Sequence, residues 1–353
     1  MTTTQVVPAP TPPVDVPTAR RDFGLLWAGQ SLSLLGDQFM VIGLPLLAVT
    51  VLGVSVAQAA LLPFALFLPF LLLGLPAGAV LDRMRRRPVL IVCDLAQLAS
   101  YLTIAVLAAA HLLPFWLLML LVGVCGCATV FFQVAYSSYL PTLFADPRAL
   151  QRGNARLFFS ESVSRSVGPM LAGPLIQVVG LVVGVFANVA TFAFSVLTLL
   201  GIRHREEPPR AARRERGWLG RDIREGLRFV ARHPLLAPVF ACGCVYVLFL
   251  SMVEAILVLY CVQVLHLNAA SAGLVVGASA LGFPVGNVLS TRLASRLGMP
   301  RTLVLGATVS VTGIVLMATA GSAGTALGLV AGSVLHGIAR ARSARPRSPS
   351  GRR

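Results

Sequence analysis

Apolar stretches of about 20 residues recur along this chain, divided by short polar connections, and that spacing excludes most soluble folds. About 20 residues at about 1.5 Å each cross a hydrocarbon core roughly 30 Å thick. Ten such runs lie at about 23–50, 58–80, 88–110, 114–136, 157–179, 180–201, 235–262, 271–292, 301–319 and 323–339. With a mean hydropathy of +0.82 and 12% charged residues, the chain is too apolar for a soluble domain of ordinary composition. Pro45, Pro63, Pro69 and Pro76 interrupt the early runs. In membrane helices such prolines are tolerated, because neighbours satisfy the carbonyls they free. The expectation is an all-α integral membrane protein, a helical bundle with about ten transmembrane helices and no strand.

A net charge of +16 raises the question of nucleic acid, and the position of each charge answers it. Arginines occupy the N-terminal tail (Arg20, Arg21) and the connections after the second run (Arg83 to Arg87), the fourth (Arg148, Arg152, Arg156), the sixth (Arg203 to Arg232) and the eighth (Arg292, Arg296, Arg301). The alternate connections carry none. Such alternation follows the positive-inside rule and places both termini in the cytoplasm. Few aromatics accompany the basic loops, so a base-stacking platform for nucleic acid is absent. All 29 basic residues are Arg, which fits a GC-rich coding bias.

Residues 1–22, with five prolines, read as a disordered cytosolic tail. Residues 23–201 form a six-helix N-terminal half, 202–234 a cytosolic linker with ten Arg and five acids, and 235–339 a C-terminal half of about four helices. Arg221 to Arg232 fits an amphipathic surface helix or a solvated linker equally. Residues 340–353 are a basic disordered tail with six Arg. Two six-helix repeats would need two further helices, so the expectation is a chain truncated at its C-terminus, by nature or through a lost reading frame. The six cysteines, Cys93, Cys125, Cys127, Cys242, Cys244 and Cys261, sit within apolar runs. Residues two apart point away from each other on a helix, so neither Cys-Gly-Cys chelates a metal, and small apolar filler is the expected role.

Between the second and third runs stands GAVLDRMRRR, in the order G-x-x-x-D-R-x-x-R-R, carried by Gly78, Asp82, Arg83, Arg86 and Arg87. Four acids fall inside apolar runs: Asp37, Asp94, Glu161 and Glu254. An ionised carboxylate in lipid is costly unless paired or protonated, which makes these the candidates for function. Asp37 and Glu254 lie deepest and are the candidates for proton coupling, with a helix-packing hydrogen bond as the plain alternative. Asp94, about two turns past Arg87, is expected to face the basic cluster and fix the inner gate. Glu161 and Arg165 are four apart on one helix face, an ion pair in the acid-first orientation. Beside them Gly168, Pro169, Ala172 and Gly173 allow a bend and close helix approach. Candidate cavity residues, chosen by side-chain polarity, are Gln38, Gln133, Asn188 and Asn287. No P-loop, HExxH or GxSxG sequence occurs, so no enzyme, cofactor or metal centre is expected, and energy must come from an ion gradient or from the substrate.

Together the runs QSLSLLGD (Gln30 to Asp37), Gly78 to Arg87, Tyr136 to Pro141 with Asn154, Glu161 to Gly173 and NVATFAFS (Asn188 to Ser195) resemble the major facilitator superfamily, in particular its bacterial drug:proton antiporter branch of macrolide and siderophore exporters. The resemblance covers about residues 23–339. It implies the major-facilitator fold of twelve helices in two halves that expose a central cavity alternately to each side. It also implies a multi-pass location in a bacterial plasma membrane, with lipid bilayer, a small-molecule substrate and protons as partners, and a monomer. Asp82 and Arg83 would then be latch residues of an inner gate and Gly168 and Pro169 a hinge. Departures are the missing Arg in the fourth run, Ala172 at a usual glycine and Gln97 at a frequent Arg. The function expected is proton-coupled export of amphipathic drug-like or natural-product molecules. Uptake by the same architecture, and an inactive truncated fragment, are the alternatives.

Overall fold

The computed structural model describes residues 16–144, 146–204, 206, 228, 232, 237–238, 257–322 and 326–340. Its elements are α-helices, with one π-helical turn (Tyr260–Val264) and no strand among the described residues. The helices are α1 (Val16–Thr50), α2 (Val56–Ala59), α3 (Leu61–Leu81), α4 (Arg86–Ala109), α5 (Phe115–Leu143), α6 (Pro147–Val179), α7 (Leu181–Gly201), α8 (Ala269–Leu297), α9 (Met299–Ser322) and α10 (Ala326–Arg340). Among the described residues, five stretches are long and apolar enough to cross a membrane: Arg20–Thr50, Val56–Gly74, Arg86–Ala109, Phe115–Leu143 and Leu181–Gly201. Shorter apolar stretches lie in α8, α9 and α10. The chain is an all-α, multi-pass membrane protein.

Helix limits follow local chemistry. Ser55 and Gln58 form a reciprocal capping box that starts the second span at Val56. Asp146 caps α6, its carboxylate accepting from the N–H groups of Arg148 and Ala149, and Pro147 takes the first helical position, where a missing N–H costs nothing. One residue, Gly180 at φ +85°, connects α6 to α7, and that left-handed backbone suits glycine.

Two limits differ from the sequence expectation. α1 begins at Val16, inside the segment expected to be a disordered tail, and Asp22 on it is fully buried. α6 begins ten residues before the expected run, so Arg148, Arg152 and Arg156 lie on its opening turns instead of in a connection. The Arg-rich sequence hid the Asp146-Pro147 start signal. Residues 1–15 and 341–353, and nearly all of the linker, lie outside the described residues.

In the N-terminal half α1 packs on α6 and α7, α4 on α5 and α7, and α3 on α5. α10 packs between α8 and α9, and α8 also packs on α6, which joins the two halves. One apolar core fills the α1, α3, α4, α5 and α7 interior around Ile42, Leu47, Ile104 and Leu118. A second lies at the end bearing Leu81, Val89, Leu143 and Ile202, and a third, around Cys261, Val275 and Met317, holds the C-terminal half.

Candidate functional site

The polar interior is organised by a close seam between α1 and α7. Asn188, Thr191, Ser195 and Thr198 recur every three or four residues and so share one face of α7. Gly29 on α1 lies against Thr198 and Ser195, and Gly36 against Asn188 and Thr191, each with no room for a Cβ. Such small residues let helices approach closely in lipid, where packing and hydrogen bonds replace the hydrophobic drive. Asp37 follows Gly36 directly and is largely buried.

Asp94 on α4 is 1% exposed, and its carboxylate accepts the Ser195 hydroxyl of α7 at 2.5 Å. The structure therefore directs Asp94 to α7 instead of to the basic cluster expected from its nearness to Arg87 in sequence. Asp37 lies within electrostatic reach of Asp94 and of Arg165 on α6. Arg165 in turn pairs with Glu161, at 3.1 Å, as the four-residue spacing implied. Asp37 and Asp94 thus lie within electrostatic reach of each other, and the guanidinium within reach of Asp37 is already shared with a third carboxylate. Tyr101 stacks on Phe192 with ring centroids 5.5 Å apart, and the buried Gln97 accepts from Thr129, closing the α4 side.

The Gly168 to Gly173 element of α6 stands where α6 packs on α8. Gly168 faces Gln38 of α1, with no space for a side chain. One residue on, the Pro169 carbonyl and Gly173 lie against Gly273 of α8, while Gly173 also lies against Ala269 and Ala270, and Gly277 against Ser166 and Met170. Arg152, Phe159, Ser166 and Gly173 are seven apart and share a face of α6. Ser166 is 6% exposed in the seam, whereas Phe159 on the same face is 70% exposed. Leu281, Val285 and Leu289, further along α8, are exposed as well. The seam is tight at the Gly173 and Ala269 end and gives way to exposed side chains toward the arginines of α6.

Residues 26–342 match the profile of the Major Facilitator Superfamily. The chain belongs to that superfamily. Among curated relatives, it is 26% identical over 242 residues to the uncharacterized MFS-type transporter YfiS of Bacillus subtilis, covering 68% of this chain and 57% of that protein. It is 23% identical over 236 residues to macrolide efflux protein A of Streptococcus pyogenes, covering 66% of this chain and 57% of the relative. The chain thus spans about 57% of the length of these curated relatives. Its fold is that of a bacterial homologue of the iron transporter ferroportin in its inward-facing state (TM-score 0.62, 18% identity, 91% of this chain and 80% of that one). It is shared also with a bacterial homologue of the lysosomal transporter Spinster, inward-facing and unoccupied (TM-score 0.67, 15% identity, 93% and 74%). Membership gives this chain the fold of a superfamily whose matched relatives are transporters.

The superfamily's loop motif is a short turn between two helices. Gly78 lies in the last turn of α3, Asp82 is its exposed C-cap, and Arg86 and Arg87 open α4. Arg87 is tied to α7. Its Nε and Nη2 donate to the carbonyls of Leu199 and Leu200, at 3.0 and 2.9 Å, where the end of α7 leaves acceptors unpaired and its dipole is negative. Glu206 accepts from the Arg87 backbone N–H at 3.2 Å, and Asp22 accepts from the N–H groups of Arg203 and His204. None of these tethers was foreseen, although Asp22 was visible as an acid just before the first apolar run.

The other expected positions divide. Asn188 is 1% exposed inside the α1 and α7 seam, so it serves packing and does not line open space. Gln38 is half-exposed beside Gly168, and Gln133 is exposed. Glu254, with Cys242 and Cys244, lies outside the described residues, as does the side chain of Asn287, whose backbone is in α8. No group of three or more metal-ligating side chains occurs among the described residues.

Proposed function

We propose that this chain forms the working core of a secondary active exporter that exchanges protons for amphipathic drug-like or natural-product molecules across a bacterial plasma membrane, with both termini cytoplasmic. The observation that carries it is the acid pair Asp37 and Asp94 in the interior of the N-terminal half, one largely buried and one fully buried, within electrostatic reach of each other. A carboxylate that takes up a proton there loses its repulsion of the other, and its pull on Arg165 of α6.

The neighbours of Asp37 connect that change to the halves. Gln38, the next residue, fills the space over Gly168, and Pro169 beside it presses on Gly273 of α8. Protonation of Asp37 thereby biases the helix that sets the angle between halves, as population shift requires of a coupling ion. With the arginines on the inner side, the tight seam lies outward and the exposed stretch opens to the cytosol, an inward-facing state. The efflux relative supports the direction of transport.

The test is proton movement in proteoliposomes containing a pH-sensitive dye. Adding an amphipathic substrate to the wild type should move protons against its flux, and Asp37→Asn should abolish this while substrate binding persists. Undiminished proton movement in Asp37→Asn removes Asp37 from coupling.

A further inference from the structure

An apolar cavity of about 370 Å³ lies between α4 and α5, away from the acids of the interior. Val92, Cys93 and Ala96 form one wall, Val124, Cys127 and Phe131 the other, and Met84 of the turn closes one end. Val92 and Met84 are 63% and 46% exposed, so the cavity opens sideways into the surrounding lipid. At about 30 Å³ for a water-sized group, it takes on the order of twelve methylenes, which is one acyl chain and not two.

Charge at its end selects the headgroup. Arg85, the exposed N-cap of α4, precedes Val92 by seven residues and so stands on the face of α4 that forms the cavity wall. Arg86 has a buried Nε–H with no partner among the described residues. Asp82 is the single acid in the turn, against Arg83, Arg85, Arg86 and Arg87, and Arg87 is engaged with α7. With Glu206 at Arg87 counted beside Asp82, guanidinium groups still outnumber the described carboxylates at the end of this acyl groove, which matches a lipid that carries net negative charge. Basic groups at the surface of an anionic leaflet each favour such a lipid about fivefold.

We propose that the groove between α4 and α5 is a binding site for one anionic phospholipid, its chain along Val92, Ala96 and Phe131 and its phosphate at Arg85 and Arg86. Occupancy would brace the turn whose Arg87 holds the end of α7.

Native mass spectrometry of the full chain in detergent, with equimolar phosphatidylglycerol and phosphatidylcholine of identical acyl chains, tests this. The wild type should retain one phosphatidylglycerol in at least about fivefold preference. Arg85→Gln should lower the preference about fivefold, Arg85→Gln with Arg86→Gln should bring it close to unity, and Ala96→Trp, which fills the groove, should remove the retained lipid. Val124→Trp fills it from the opposite wall should Ala96→Trp fail to fold. Leu95→Trp, at an exposed neighbour outside the groove, should behave as wild type. Equal retention of the two lipids by the wild type, or unchanged retention in a folded groove-filling variant, overturns the proposal.

Discussion

Gly273→Ala should close the cytosolic side. An added Cβ would stand 3.0 Å from the Gly173 Cα and 3.2 Å from its N, and would meet the Pro169 carbonyl more closely still. These are backbone atoms of a packed helix, so no side chain can swing aside. Restoring an ordinary separation of 3.4–4 Å from the Pro169 carbonyl forces α6 and α8 apart by at least about 1 Å. Overpacking of this kind costs about 1–3 kcal/mol. In an alternating-access protein the cost falls on the state that contains the seam and shifts the equilibrium by about 5- to 150-fold toward the other. Spin labels at position 159 of α6 and position 289 of α8, both exposed, report the opening by double electron–electron resonance. The ratio of the long-distance to the short-distance population should fall relative to wild type by that factor. Gly74→Ala, where a Cβ meets nothing within 4 Å, should leave it unchanged. An unaltered distance distribution in a folded Gly273→Ala protein would refute the claim that this seam belongs to one state.

Substitutions at three other positions probe the tethers and the α6 cap. Arg87→Ala removes both guanidinium bonds to the end of α7 and should destabilise the protein by about 1.5–3 kcal/mol in thermal unfolding. Arg87→Lys should recover less than half, because one ammonium cannot reproduce the fork. Ser195→Ala leaves the buried Asp94 carboxylate without its hydroxyl donor and should cost about 1.5–3 kcal/mol, an effect that disappears in the Asp94→Ala background of a double-mutant cycle. Asp146→Ala should cost about 1 kcal/mol through loss of the α6 cap, read as faster hydrogen exchange in the first turns of that helix.

Local signals in the sequence specify much of this architecture. Apolar length placed the spans, and the Ser55 and Gln58 capping box marks the start of the second. The Glu161 and Arg165 pair follows from four-residue spacing alone. Partners far apart in sequence were not legible. Ser195 lies 101 residues from Asp94, and no periodicity says that α4 and α7 bring them together. Asp94 was therefore assigned to the arginines nearest in sequence. Asn188 was chosen for its polarity, but Gly36 on α1 makes that position a seam. The start of α6 was misplaced because three arginines suggested a connection, while the Asp146-Pro147 pair that begins the helix went unused. The bonds made by Asp22 and Arg87 are not legible, because backbone groups at a helix end, the atoms they bind, leave no mark in the sequence.

Accumulation of an amphipathic macrolide by inside-out membrane vesicles tests the central claim most directly. Vesicles carrying the wild-type chain should concentrate the compound when energised with a proton gradient, and a protonophore should release it. No accumulation by the folded, membrane-inserted protein, or accumulation that a protonophore leaves intact, would contradict proton-driven export.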